Sequence, residues 1–84
     1  MENNQPTLRL EKVMKDGKPA IRLVVRYATP ALRIMLDGLG INPDCTIANC
    51  RTIVCATPAE LDAARNPLMP LFDTKGQWLG KDVA

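Results

Sequence analysis

Val24-Val25-Arg26-Tyr27-Ala28-Thr29-Pro30-Ala31, and its echo Ile53-Val54-Cys55-Ala56-Thr57-Pro58-Ala59 twenty-eight residues later, decide how this chain is read. Each is a β-branched run that ends in Ala-Thr-Pro-Ala. The threonine suits a helix N-cap, and the proline suits the first helical turn, where no intrahelical bond needs its N–H. Both segments therefore predict a strand that feeds directly into a helix. After Pro30, the residues Leu32, Met35, Leu36 and Leu39 recur at i, i+3, i+4 and i+7, which puts one apolar stripe toward a sheet. The helix should run about nine residues, with Gly38 or Gly40 taking the left-handed stop. After Pro58, Glu60 completes a capping box with Thr57, and Pro67 ends that helix near Asn66.

Working outward, residues 7–14 and 20–27 read as two strands joined by Lys15-Asp16-Gly17-Lys18, in which Asp-Gly is the strongest short-range hairpin signal. Ile21, Leu23, Val25 and Tyr27 then form the core face, while Arg22, Val24 and Arg26 form the other. Between the two junctions, residues 41–50 open with turn chemistry. Arg51–Cys55 reads as a strand, with residues 45–48 as its expected partner. Near the end, Leu71-Phe72 and Gln77-Trp78-Leu79 flank Asp73-Thr74-Lys75-Gly76, the pattern of a small hairpin with Trp78 closing over the core. The expectation is a single α+β domain over residues 1–84, of order β-β-α-(β)β-α with a C-terminal β-hairpin, and with residues 1–6 flexible.

A chain of 84 residues removes only roughly 60% of its unfolded surface from water, so its core must be small. At 46% hydrophobic and 24% charged, its composition is that of an ordinary globular protein. The longest apolar runs, such as Leu23-Val24-Val25, fall far short of a membrane span. The polar start Met-Glu-Asn-Asn-Gln-Pro is unlike a secretory signal, and Cys45, Cys50 and Cys55 make an odd number of thiols. A reducing, cytoplasmic setting is the expectation.

Several chemistries find no support. The sequence has neither histidine nor serine, the commonest general base and the commonest hydroxyl nucleophile. Only Cys55 lies near a helix N-terminus that could activate a thiolate. Cysteine spacings of five and five, without histidine, do not match a zinc site. If 45–48 and 51–54 form a tight hairpin, Cys45 and Cys55 point to opposite faces, so buried reduced thiols are expected. Glu60 and Asp62 stand about 200° apart on a helix and cannot share a proton. Glycine-rich phosphate loops are missing as well. A protein without catalytic residues, metal, cofactor or small-molecule substrate is expected.

Binding remains. Residues 1–35 carry seven Lys/Arg against three Asp/Glu, whereas residues 36–84 carry four against six, an asymmetry that steers the first half toward an anionic partner. Arg9, Arg22 and Arg26 project from the outer face of the first hairpin, with Lys12, Lys15 and Lys18 near its tip. That arrangement can contact phosphates as a two-stranded ribbon does, or meet an acidic protein surface; it is equally what a solvated strand face looks like. Few aromatics are available to stack on single strands, so duplex is the better nucleic-acid target. A competing reading makes the domain a protein-binding module, such as a phage or mobile-element inhibitor of a host protein. Leu68, Met69, Phe72 and Trp78 are its interface candidates, and core packing is the plainer assignment for all four. Burial within the chain and burial across a homodimer both satisfy this apolar stretch. A structural subunit that assembles into rings or filaments is a third reading.

Thr29-Pro30-Ala31-Leu32-Arg33, Leu39-Gly40-Ile41-Asn42-Pro43-Asp44, Thr46-Ile47 and Arg51-Thr52-Ile53-Val54 together resemble the AbrB, MazE and SymE superfamily of swapped-hairpin barrels. The resemblance covers residues 29–55, and the turn Leu-Gly-Ile-x-Pro-Asp carries most of it. The interval from Pro30 to Leu39 is longer than in that pattern, and the Gly-Asp after its proline is Asp44-Cys45 here. The resemblance implies an intertwined homodimer that binds DNA through Arg22, Arg26 and Arg33, or a related toxin or antitoxin component.

Overall fold

A computed structural model describes residues 5–44 and 46–80. The chain is α+β: β1 (Thr7–Lys15), β2 (Lys18–Arg26), α1 (Pro30–Gly38), β3 (Asn42–Pro43), β4 (Cys50–Cys55), α2 (Pro58–Arg65), then a 3-10 turn over Asn66–Leu71. The strands form one antiparallel sheet in the order β1-β2-β4-β3. The first hairpin is as the sequence reads it. Asp16 and Gly17 sit at φ 53° and 77°, the two positive values a two-residue type I′ turn requires, and Lys15 pairs directly with Lys18.

Both Thr-Pro junctions fold as expected. Thr29 Oγ1 accepts the N–H of Leu32 at 3.2 Å, and Thr57 Oγ1 accepts the N–H of Glu60 at 3.2 Å. Each oxygen satisfies an N–H that the first helical turn leaves without a partner. Helix α1 stops at Gly40, φ 77°. There Ile41 N–H reaches Leu36 O at 2.9 Å and Gly40 N–H reaches Asp37 O at 3.1 Å, a Schellman motif. Ile41 and Leu36 are both fully buried beside it. Of the two glycines compatible with the stop, Gly40 makes it and Gly38 is still helical.

The core lies on one side of the sheet. Leu23 and Val25 of β2 and Cys55 of β4 are buried with Leu32 and Leu36 of α1, Ala64 of α2, and Leu68 and Phe72 beyond it. Ala20, Val24 and Cys50 are buried too, but stand outside this cluster on the opposite sheet face. All the helical structure therefore covers a single face.

Two sequence expectations need correction. Tyr27 is not a core residue: it takes φ 58° and is only half-buried, because the chain turns left-handed at the end of β2 to aim at α1. The strand that pairs with β4 is Asn42–Pro43, not residues 45–48. Thr46–Asn49 is a turn in which Asp44 Oδ1 accepts both the amide and the hydroxyl of Thr46, at 2.7 and 2.6 Å, and Cys45 lies outside the described residues. Leu68 and Phe72 are taken up by the core, the plainer of the two assignments the sequence allows them.

The final segment closes against the first. Asp73 Oδ1 accepts the amides of Lys75 and Gln77, Asp73 N–H donates to Gln77 O, and Phe72 bridges Trp78. This abbreviated hairpin then docks on the edge of β1 through Leu8 N–H to Gly76 O at 2.8 Å and a Thr7–Gln77 bridge. Trp78 is half-buried and packs against the core cluster. Gly76 sits at φ 84°, and a Cβ there would run into the Leu8 carbonyl. Gly38, by contrast, has open space around it. Gly76→Ala should therefore lower the unfolding free energy by the ~1–2 kcal/mol of left-handed strain plus the clash, whereas Gly38→Ala should raise it by about 0.5–1 kcal/mol. Paired chemical denaturation of the two variants checks both signs.

Candidate nucleic-acid interface

Strand alternation and the register place Thr7, Arg9, Glu11, Val13 and Lys15 of β1 on the uncovered face, beside Lys18, Ala20, Arg22, Val24 and Arg26 of β2 and Cys50, Thr52 and Val54 of β4. Arg9, Arg22 and Arg26 are thus brought together. Glu11 is the one carboxylate carried by these strands on that face among the described residues. It meets Arg22 at 3.7 Å with both side chains about two-fifths exposed, a contact that water screens heavily. Arg9 and Arg26 have no carboxylate partner among the described residues.

The hairpin outruns the sheet. Pairing between β2 and β4 stops at Ile21–Cys55, so residues 13–20 continue as a free two-stranded ribbon. Lys15 and Lys18 stand at its tip, and the basic strip from Arg9 to Lys15 is roughly 20 Å long. Lys12 falls on the helix side with Leu8, Leu10 and Met14. Arg33 also lies elsewhere: on α1 its Nε donates to Ala28 O at 3.1 Å. Of seven cations set aside from sequence, five share the open face and its tip.

At the far end of the strip the structure adds a cation that the sequence reading missed. Arg9, Arg26 and Lys75 line a cavity of about 380 Å³ together with Thr7, Tyr27 and Gln77. Lys75 arrives only because the terminal hairpin docks on β1; its turn is legible in the sequence, but its neighbour across space is not. The Arg26 guanidinium lies over the Tyr27 ring, 5.2 Å from its centroid, within cation–π range. Tyr27 is anchored by its N–H to Asn49 O at 2.9 Å. Arg26 Nε, with Thr52 Oγ1 on the same face, is buried without a hydrogen-bond partner among the described residues.

On the helix side, Arg51 pairs with Asp37 of α1 and is engaged within the fold. Asp44, just past β3 and level with Cys50 of the open face, is held below the usual carboxylate range by the hydroxyl and amide of Thr46, with a smaller contribution from Arg22. Among the described residues no three His, Cys, Asp or Glu side chains converge, and no helix is long and apolar enough to cross a membrane.

No protein-family model, curated protein or solved structure matches this chain.

Cys50 and Cys55 are buried free thiols. Burial pushes both upward from the ordinary thiol value, aided by the negative charge of Asp44 for Cys50 and of Glu60 for Cys55. A raised pKa leaves less thiolate at neutral pH, and the thiolate is the nucleophile. In the folded protein at pH 7.5, roughly that of a neutral assay, maleimide should label Cys50 and Cys55 at least about tenfold more slowly than in denaturant. Peptide mapping by mass spectrometry reads the two sites separately.

Proposed function

We propose that this domain is a non-enzymatic nucleic-acid-binding regulator, or a toxin–antitoxin-like component, that grips duplex through the β1–β2 hairpin. The observation that carries the reading is the free ribbon of residues 13–20 with Lys15 and Lys18 at its tip, backed by Arg9, Arg22 and Arg26 on a sheet face that no helix covers. A two-stranded ribbon fits the width of the major groove. The arginines behind it are positioned to meet phosphates, which supply most of the sequence-independent affinity. The resemblance of residues 29–55 to DNA-binding swapped-hairpin proteins points the same way.

Five cations on the strip predict that log Kd against log salt for random duplex has a slope magnitude of about 4–5, and that R22A/R26A lowers it by about 2. Fluorescence anisotropy at several salt concentrations measures it. Binding that ignores salt, or is missing altogether, removes this reading.

A second reading has its own support, in the exposed Leu10, Met14, Met69 and Leu79. Leu10, Met69 and Leu79 share one groove beneath the edge strand β1, and Met14 lines an adjoining one. The occupant it favours is a second copy. An antiparallel pairing of β1 with itself about Val13 sets Glu11 against Lys15 of the partner subunit twice, and covers the free strand edge. Sedimentation should then report a dimer that V13K, by opposing two lysines, returns to a monomer; a monomeric parent protein ends this reading.

A further inference from the structure

We infer that the cavity among Arg9, Arg26, Lys75 and Tyr27 is a subsite for the terminal phosphate of a nucleic-acid strand. The inference rests on the nucleic-acid reading for the source of that phosphate.

Three independent elements deliver the cations: β1 brings Arg9, the end of β2 brings Arg26, and the terminal turn brings Lys75. No carboxylate lines the cavity among the described residues. Like charges gathered without a counter-charge repel one another, and an anion between them removes that cost. Volume and shape agree. About 380 Å³ lies at the small end of ligand cavities, and the cavity sits at the far end of the basic strip, beside the Leu8–Gly76 hydrogen bond. A strand that lies along Arg22 and Arg9 and ends at this point would set its terminal phosphate in the cavity. A terminal monoester carries close to two negative charges at neutral pH against one for an internal diester. Three unopposed cations favour the former.

Tyr27 supplies a second line of argument. Asp16 and Asn49, the other non-glycine residues with positive φ among the described residues, are types that tolerate the left-handed region. Tyrosine is not, and the turn toward α1 holds it there. The same turn places its ring under the Arg26 guanidinium, orienting a planar donor fork for phosphate. Arg26 Nε is buried without a hydrogen-bond partner among the described residues, so a bound oxyanion would be met by the terminal nitrogens of the guanidinium.

The test compares matched duplexes that carry either a 5′-phosphate or a 5′-hydroxyl, titrated by anisotropy with the parent protein and with K75A. Lys75 is exposed, and its amide, not its side chain, holds the turn; circular dichroism confirms that the variant folds. The parent should prefer the 5′-phosphate by about tenfold, the scale of one charge-assisted contact, and K75A should bring the ratio near one. In parallel, inorganic phosphate added to ¹⁵N-labelled protein should shift the Arg26 side-chain Nε–H and the Gly76 and Gln77 amides saturably. Equal affinity for the two duplexes overturns the assignment, as does a preference that K75A retains. Saturable inorganic phosphate without a 5′ preference shows a free-phosphate site and overturns the strand terminus as its source. The 5′-hydroxyl duplex separates the two claims: salt-sensitive binding without phosphate preference leaves the nucleic-acid reading standing, and failure of both duplexes to bind ends it.

Discussion

Leu23 and Val25, neighbours on one face of the central strand β2, hold the molecule together. Both helices pack on that face, and each is aimed there by a threonine cap followed by proline. Because β2 and β4 are antiparallel neighbours, α1 leaves the sheet at one end and α2 at the other. The two helices thus share a single face without competing for the same stretch of it. A chain this small affords one helical layer and no more, and the opposite face of the sheet is open as a result.

That constraint links fold to function. With apolar burial confined to one side, the other is free to carry charge, and arginine is well suited to it, since its aliphatic stem can shelter small neighbours such as Ala20 and Val24 while its head stays in water. The ribbon beyond β4 follows from unequal strand lengths: nine residues in each arm of the hairpin against six in β4. Its lysines stand at the tip of the open face, while α2 begins beside the base of the ribbon on the other side.

Much of this was legible in the sequence because it rests on local chemistry. Asp16-Gly17 can serve a type I′ turn, Thr57 with Glu60 can close a capping box, and the 3.6-residue stripe of α1 can face only one way. What escaped was set by contacts across space. Tyr27 fits the alternation of its strand and leaves it only because the chain must turn toward α1. The two-residue strand at Asn42–Pro43 is too short to leave a periodic signal, so the sequence points instead to the residues just before β4 as its partner. Leu68 and Met69 are adjacent and similar in sequence, yet one is in the core and the other in solvent, a division that only the 3-10 turn determines. Lys75 joined Arg9 and Arg26 by way of a hydrogen bond between distant parts of the chain.

That bond, from Leu8 to Gly76, also bears on how the chain is made. It ties one of the earliest structured residues to one of the latest, so the loop it closes is nearly as long as the domain and must be closed against chain entropy late in folding. During synthesis, β1 and β2 emerge before the rest of the domain and can pair at once, but the edge of β1 at Leu8 waits for residues 73–77. Until then the uncovered edge of β1 runs on from Leu10 and Met14 through Thr7 and Leu8, the kind of surface that adds strands from other chains. The terminal hairpin is thus the latch of the fold, and the interval before it shuts is when the chain is most exposed to misassembly.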